Sequence, residues 1–535
     1  MGLKITPPSR RVMNLGHFLK QTADRCGSRP ALARGEDVLS FSELNRQVER
    51  ACLALRKLGV SKGDRVLVQS RNSFEMFAAM FAVFRLGAVL VPVNFRLSED
   101  DVVYIAGQCG ASVLLYDSAF TAHRNAVVSV HDPSIVIALD AVGAAENGDA
   151  SWAELIASVE PDAPFEDCQV EHDDPCWFFF TSGTTGHPKA AVLTHGQMGF
   201  VVTNHIADLM PGLGDGDASL VVAPLSHGAG IHQLAQVARG VVTVLLEGDR
   251  FNPGEVFATI ERWRITNMFL VPTILKMMVE SEAVDMFDHS SLRHVIYAGA
   301  PTYRVDQQTA LRKLGKCIVQ YFGLGEVTGN ITVFPAELHD LDDEIQGRIG
   351  SCGYARTGMQ VQVQDGEGTE VARGQTGELC VIGPAVFVGY YNNPDANAKA
   401  FRNGWFRTGD LGHMDEEGFI YITGRDSDMY ISGGSNIYPR EIEEKLLQYD
   451  GLSDCAVVGL PDAKWGEIGC AAIVVRDREN FDLDDFRSWM AKSIARYKIP
   501  HRIELFDALP VSGYGKITKK LVRAAIEERD SELKR

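Results

Sequence analysis

The chain has 535 residues, 45% hydrophobic and 23% charged, a balance that fits a soluble globular protein and excludes a disordered, collagen-like or coiled-coil chain. At roughly 150 residues per domain, that length predicts about three or four structural units. The net charge of −18 argues against nucleic acid or anionic lipid as a general partner, so any anionic ligand must be held by a local site working against this field.

Ten cysteines include no Cys-x-x-Cys pair, which predicts reduced, mostly buried thiols in a cytoplasmic protein and neither a zinc site nor a redox motif. The apolar stretch from Phe74 to Val93 is interrupted by Arg85, Gly87 and Pro92, so it reads as a helix feeding a buried strand, with no transmembrane segment. No apolar block follows the N-terminal charges, so no signal peptide is expected. Met1-Gly2 with Thr6 fits the loose myristoylation pattern, which is short enough to occur by accident.

In chain order, Arg65 to Gln69 reads as a strand, Ser73 as the cap of a helix ending near Gly87, and Ala88 to Val93 as a strand. Ser98-Glu99-Asp100-Asp101 opens another helix, and Ser112 to Tyr116 is again a strand. This βαβαβ order predicts a parallel sheet covered by helices. Residues 141–174, rich in Ala, Gly and Asp, read as a surface connection. The alternation resumes with strands at Ser219–Ala223, Val241–Leu246, Asn267–Val271, His294–Tyr297 and Cys317–Phe322. Beyond about residue 350, short alternating runs such as Val361–Val363, Glu378–Ile382 and Phe419–Ile422 between glycines and charges predict antiparallel strands. After Gly424 a compact α+β unit follows, with a helix at Pro439–Gln448, strands at Ala456–Gly459 and Ala471–Val475, a helix at Leu483–Ala495 and a basic terminal helix.

The strongest local signal is Thr181-Ser182-Gly183-Thr184-Thr185-Gly186-His187-Pro188-Lys189, after the apolar run Cys176 to Phe180. Glycines let backbone N–H groups converge on an anion, hydroxyls donate, and a lysine adds a point charge, so the segment is a phosphate cradle in chemical terms. It is not a Walker A loop, because it lacks the Gly-Lys-Ser/Thr ending.

This segment resembles the signature loop of the adenylate-forming superfamily, which includes acyl-CoA synthetases, luciferase-like enzymes and nonribosomal adenylation domains; Ala190 stands where the family has Gly. Further motifs match in order from about residue 15 to 525. Pro224-Leu225-Ser226-His227-Gly228 resembles the acyl-pocket motif, with Ser226 in place of Phe and with His227, Gly228 and Ala229 as lining. Gly299-Ala300-Pro301 resembles the adenine-side turn, and Phe322-Gly323-Leu324-Gly325-Glu326 the Tyr-Gly-x-Thr-Glu motif. The resemblance makes Phe322 an adenine-stacking ring and Leu324 a pocket residue. It makes Glu326 the carboxylate for Mg²⁺, and Gly325, where Thr is usual, leaves Thr328 as a substitute phosphate contact. Asp410, in Thr408-Gly409-Asp410, would accept both ribose hydroxyls. Arg425 would touch ribose or phosphate, and Ser427 takes the hinge position, normally Asp or Lys. Gly433 and Gly434 belong to the loop that would face the pantetheine, and Trp465 reads either as a platform for the CoA nucleotide or as a packing residue. Lys516, between Gly513 and Gly515 on one side and Ile517 on the other, resembles the C-terminal catalytic lysine.

The resemblance implies a large N-terminal lobe of mostly parallel sheets with a small antiparallel subdomain, over residues 1–426, and a small mobile α+β domain over residues 427–535. It implies an AMP-forming acyl-CoA ligase. A carboxylate attacks the α-phosphorus of Mg·ATP, pyrophosphate leaves, and CoA displaces AMP. Lys189, Lys516 and the Mg²⁺ on Glu326 would neutralise charge. Ser226–Gln233 contains no acid to pair with an α-amine, which weakens an amino-acid substrate, and no obvious arginine marks a dicarboxylate. The small residues after His227 suggest space for a fatty, aromatic or ring-bearing acid; which acid is left undetermined by the sequence. Loading of a carrier protein, luciferase-like chemistry, a non-catalytic ATP-binding relative and a homodimer stay open.

Overall fold

The computed structural model describes residues 11–181, 188–248, 250–300, 302–425, 427–512 and 517–533. Its architecture is mixed α/β. Among the described residues, two seven-stranded, mostly parallel sheets lie in the N-terminal lobe. One runs, in spatial order, Ile318–Gln320, His294–Tyr297, Asn267–Leu270, Ala218–Val221, Val242–Leu245, Pro30–Arg34 and Asp37–Ser40. The other runs Ala150–Ser151, Ile135–Ala138, Val113–Tyr116, Arg65–Gln69, Val89–Val93, Pro175–Thr181 and Lys189–Thr194. In each sheet only the pairing at one edge is antiparallel. In these two sheets the strands read from the sequence form with ends moved by at most two residues. The readings Phe419–Ile422, Ala456–Gly459 and Ala471–Val475 are parts of the longer strands Phe419–Arg425, Leu452–Asp462 and Gly466–Val475, because period and apolarity locate a buried strand better than they locate its ends.

Helix starts follow their capping residues. Ser73 accepts from the Met76 N–H at the start of Phe74–Arg85, and Ser98 forms a capping box with Asp101 at the start of Glu99–Cys109. Residues 141–174 depart from the expected plain connection. They contain the helices Ala141–Asn147, capped by Asp140, and Trp152–Ala157, whose Trp152 is buried. One buried tryptophan outweighs a loop-like composition.

A third, antiparallel sheet orders Thr332–Val333, Ser351–Ala355, Phe419–Arg425, Trp405–Met414, Gly377–Ile382 and Gln360–Gln364. The ten-residue strand Trp405–Met414 alternates buried and partly buried positions throughout. From Tyr430 onward a separate sheet forms from Tyr430–Ser432, Ser435–Ile437, Leu452–Asp462, Gly466–Val475 and Arg502–Phe506, with the helices Pro439–Leu446, Leu483–Ser493 and Lys519–Leu533. This C-terminal unit docks on the N-terminal lobe through polar contacts. Tyr303 Oη donates to Glu443 Oε2 at 3.2 Å, the Arg304 N–H donates to Glu444 Oε1 at 3.0 Å, and Lys276 Nζ donates to the Ser453 carbonyl at 2.6 Å. All ten cysteines are free and eight are buried. No helix among the described residues is long and apolar enough to cross a membrane.

Candidate active site

The hairpin Pro175–Thr181 and Lys189–Thr194 brackets the glycine- and hydroxyl-rich loop. Ser182, Gly183, Thr184, Thr185 and Gly186, like Pro301 and Lys516, lie outside the described residues. Thr181 ends the first strand, and its Oγ1 donates to Glu326 Oε1 at 2.9 Å. The Tyr390 phenol donates to the same oxygen at 2.9 Å. Burial, and after it the Glu326 charge, hold the Tyr390 phenol well above its usual range, so it remains a donor. Glu326 itself is 5% exposed, in the short turn Gly325–Val327, and its carbonyl accepts from the Phe387 N–H at 2.8 Å.

Tyr390 is a site residue that sequence reasoning missed. The segment around it lies along the second hairpin strand, with the Val192 N–H donating to Gly389 O at 3.0 Å and the Tyr391 N–H to Ala190 O at 2.9 Å. That puts the Tyr390 ring 5.3 Å from Lys189 Nζ, a cation–π distance. Lys189, Thr181, Glu326 and Tyr390 therefore form one cluster.

Gly325, where the family has Thr, has a steric cause here. A Cβ at 325 would stand 2.6 Å from the Phe179 ring and 2.8 Å from Thr181 Cγ2. Thr328 does not replace the missing hydroxyl, since it is buried and its Oγ1 is turned onto the Val327 carbonyl at 2.6 Å. Gly323 permits a close approach, because a Cβ there would meet Gly329 Cα at 2.4 Å.

His227, Phe179, Phe322 and Leu324 are each partly buried. His227 precedes the helix Gly228–Arg239, and its ring meets Phe179 edge-on at 5.2 Å. Gly228 leaves room for Phe269, whose ring would stand 2.8 Å from a Cβ at that position, whereas Ala229 is buried. Phe269 in turn stacks on Tyr321 at 5.9 Å. Gly299 adopts a left-handed φ of 89° directly before Ala300, after the strand His294–Tyr297.

Asp410 and Arg425 are register partners on adjacent antiparallel strands, and Arg425 Nε donates to Asp410 Oδ1 at 3.1 Å. Asp410 Oδ2 is buried with no hydrogen-bond partner. Burial outweighs Arg425 and lifts the Asp410 carboxyl above its ordinary range. An orphaned buried acceptor beside a guanidinium fits a hydroxyl-bearing ligand such as a ribose.

Among the described residues no cluster of three His, Cys, Asp or Glu forms a cage for a metal. Glu326, with both donors on one oxygen, suits the arrangement in which Mg²⁺ takes one protein carboxylate and completes its shell with phosphates and water.

In the C-terminal unit, Gly433 and Gly434 have φ of 56° and 82° and link Tyr430–Ser432 to Ser435–Ile437, the tight turn that positive φ at both positions permits. The Trp465 ring packs on Gly433, 2.9 Å from where a Cβ would stand, and remains 42% exposed. Ser427 is exposed between Arg425 and the strand Tyr430–Ser432, with its Oγ 3.4 Å from Asp428 Oδ1. Val511 and Ile517 pair across the lysine loop.

The family model described as AMP-binding enzyme matches residues 19–391, and that of the AMP-binding enzyme C-terminal domain matches residues 441–516. The chain is 34% identical to a feruloyl-CoA synthase from an Amycolatopsis species, over 96% of its own length and 99% of the relative. It is 33% identical to the long-chain-fatty-acid–CoA ligase FadD13 of Mycobacterium tuberculosis, over 95% and 98% of the two chains. Its fold superposes on ATP-bound MatB from Rhodopseudomonas palustris with a TM-score of 0.86 at 26% identity, covering 96% and 99% of the chains. With the Thr181–Glu326–Tyr390 cluster and the Asp410–Arg425 pair in place, the chain belongs to the AMP-binding enzyme family and is an AMP-forming ligase of the acid–thiol class.

Proposed function

We propose that the chain is an acyl-CoA synthetase for an aromatic or other ring-bearing carboxylic acid. The observation that supports this reading is the group of aromatic contacts around the motif residues: the Phe179 ring meets His227 edge-on at 5.2 Å, and Phe269, which packs against Gly228, stacks on Tyr321 at 5.9 Å. An acyl ring packed against these aromatic faces would gain from edge-to-face or offset-stacked contact. The name of the feruloyl-CoA synthase relative agrees with a ring, and that of FadD13 keeps a fatty chain as the competitor.

In this reading Asp410 and Arg425 hold the ribose, Phe322, Gly323, Gly299, Ala300 and Pro301 frame the adenine, and residues 181–186 cradle the phosphates. Lys189 and Lys516 bring positive charge to the α-phosphate and the incoming carboxylate. Both reactants are anions, so catalysis consists of positioning and neutralisation. Mg²⁺, held by Glu326, would supply charge neutralisation at the phosphates. We place the domain boundary at residues 426 and 427, with Ser427 as the hinge. One arrangement of residues 427–535 would deliver Lys516 for adenylation, and another would bring Gly433, Gly434 and Trp465 to CoA.

A panel of carboxylic acids with ATP, assayed with and without CoA, tests the reading. Pyrophosphate release should depend on the acid, and the thioester should require CoA. Acyl-AMP that persists with CoA and is consumed only by a phosphopantetheinyl carrier protein would replace CoA as the acceptor.

A further inference from the structure

The helix Pro439–Leu446 of the C-terminal unit carries Glu443, which is 3% exposed. A carboxylate buried that deeply is costly unless its charge and lone pairs are met. Here they are met from three directions. Oε1 accepts from the Val457 N–H at 2.6 Å and forms an ion pair with the Lys519 ammonium, both within the C-terminal unit. Oε2 accepts at 3.2 Å from the phenol of Tyr303, which belongs to the N-terminal lobe. Burial holds that phenol well above its ordinary range, so it stays a donor.

Both ends of this bridge fall beside functional segments. Lys519 is the first residue of the helix Lys519–Leu533 and stands three positions after Lys516. The Leu521 N–H donates to Thr518 Oγ1 at 3.4 Å where that helix starts, and Val511 pairs with Ile517 across the base of the lysine loop. The Glu443–Lys519 pair thus anchors the helix side of that loop. Tyr303 stands two positions after Pro301, the end of the adenine-side turn. The neighbouring residues repeat the tie. The helix Arg304–Leu314 starts without a side-chain cap of its own, and Glu444 supplies one from the other unit by accepting from the Arg304 N–H at 3.0 Å.

The inner and outer contacts of Glu443 differ in what they survive. Val457 and Lys519 travel with it when residues 427–535 rotate about Ser427, whereas Tyr303 and the Arg304 N–H stay with the N-terminal lobe. Gly433 and Gly434, which the other arrangement would bring to CoA, are exposed here. The Tyr303–Glu443 bond therefore belongs to the arrangement that serves adenylation.

We propose that Glu443 is a positioning residue for the first half-reaction. It holds Tyr303 with one oxygen and Lys519 with the other, and so fixes the Lys516 loop against the adenine-side turn. This inference rests on the reading of Lys516 as the lysine of adenylation.

The test uses the full chain with whichever of benzoic, cinnamic, octanoic and hexadecanoic acids the wild type uses fastest. Adenylation is followed by pyrophosphate release, and the second step by thioester formation from supplied acyl-AMP and CoA. Tyr303→Phe should lower kcat for adenylation by roughly tenfold, the low end for a hydrogen bond to a charged group, and leave the KM for ATP and the second step unchanged. Glu443→Gln should lower it further, and Tyr303→Phe carries the test if the buried amide prevents folding. Tyr303→Phe combined with Lys516→Ala should adenylate no more slowly than Lys516→Ala alone, because a residue that places the lysine has nothing to place once it is gone. Losses that multiply in the double variant overturn the inference, as does equal slowing of both half-reactions or a rise in the KM for ATP with kcat unchanged. Wild-type adenylation in Lys516→Ala overturns the reading of that lysine, and the inference falls with it.

Discussion

Tyr390→Phe isolates one bond in the phosphate cluster. The phenol and Thr181 each donate to Glu326 Oε1 at 2.9 Å, and the Tyr390 ring also lies 5.3 Å from Lys189 Nζ. Phenylalanine keeps the ring face, and with it the lysine contact, and removes only the donor. A hydrogen bond to a buried charged group is worth about 1.5–3 kcal/mol, and because Thr181 still holds the same oxygen the loss should fall near 1.5 kcal/mol, about tenfold in rate. Acyl-AMP formation, followed by pyrophosphate release across a Mg²⁺ titration, should fall by about that factor with a weakened Mg²⁺ dependence. Conversion of supplied acyl-AMP and CoA to the thioester should be unchanged. Glu326→Gln gives the scale, since losing the carboxylate charge itself should cost roughly a hundredfold or more in the same step. Wild-type adenylation and Mg²⁺ response in Tyr390→Phe would refute the account of Tyr390 as the group that orients Glu326.

Lys516→Ala should slow acyl-AMP formation by roughly a hundredfold or more and leave thioester formation from supplied acyl-AMP nearly untouched; equal losses in both steps would mean that the lysine is not confined to the first. Lys276 ties the two units together, donating to the Ser453 carbonyl at 2.6 Å and standing 3.7 Å from Asp306. Lys276→Met removes that tie and should shift the ratio of the two half-reaction rates by about fivefold without changing ATP affinity, the scale of one partly exposed polar contact. Equal slowing of both half-reactions would make Lys276 a general stabiliser of the fold instead.

Much of the N-terminal lobe was legible because each buried strand is a short apolar run between glycines, prolines or caps, and both His294–Tyr297 and the Ser73 cap appear where the pattern puts them. The strand Trp405–Met414 was read only as a motif, since Gly409, Asp410 and Gly412 interrupt the alternation while the neighbouring strands still pair with it. Glu326, Lys189, Asp410 and Arg425 stood out because charged groups recur among glycines in a known order. Tyr390 did not, because it meets Glu326 from 64 positions away and nothing local marks it. The place of Glu443 between the two units was invisible for the same reason, since its partners Tyr303 and Lys519 stand 140 positions earlier and 76 later. Burial is set by tertiary contacts, and a local window does not contain them.

The central claim is that an acid oxygen attacks the α-phosphorus of ATP before any thiol reacts. Supplying a carboxylic acid labelled with oxygen-18 in its carboxylate, together with ATP and CoA, tests it most directly, with the nucleotide product examined by mass spectrometry. The account predicts AMP in step with the thioester, each AMP carrying one labelled oxygen. ADP as the nucleotide product, or AMP without the label, would contradict it.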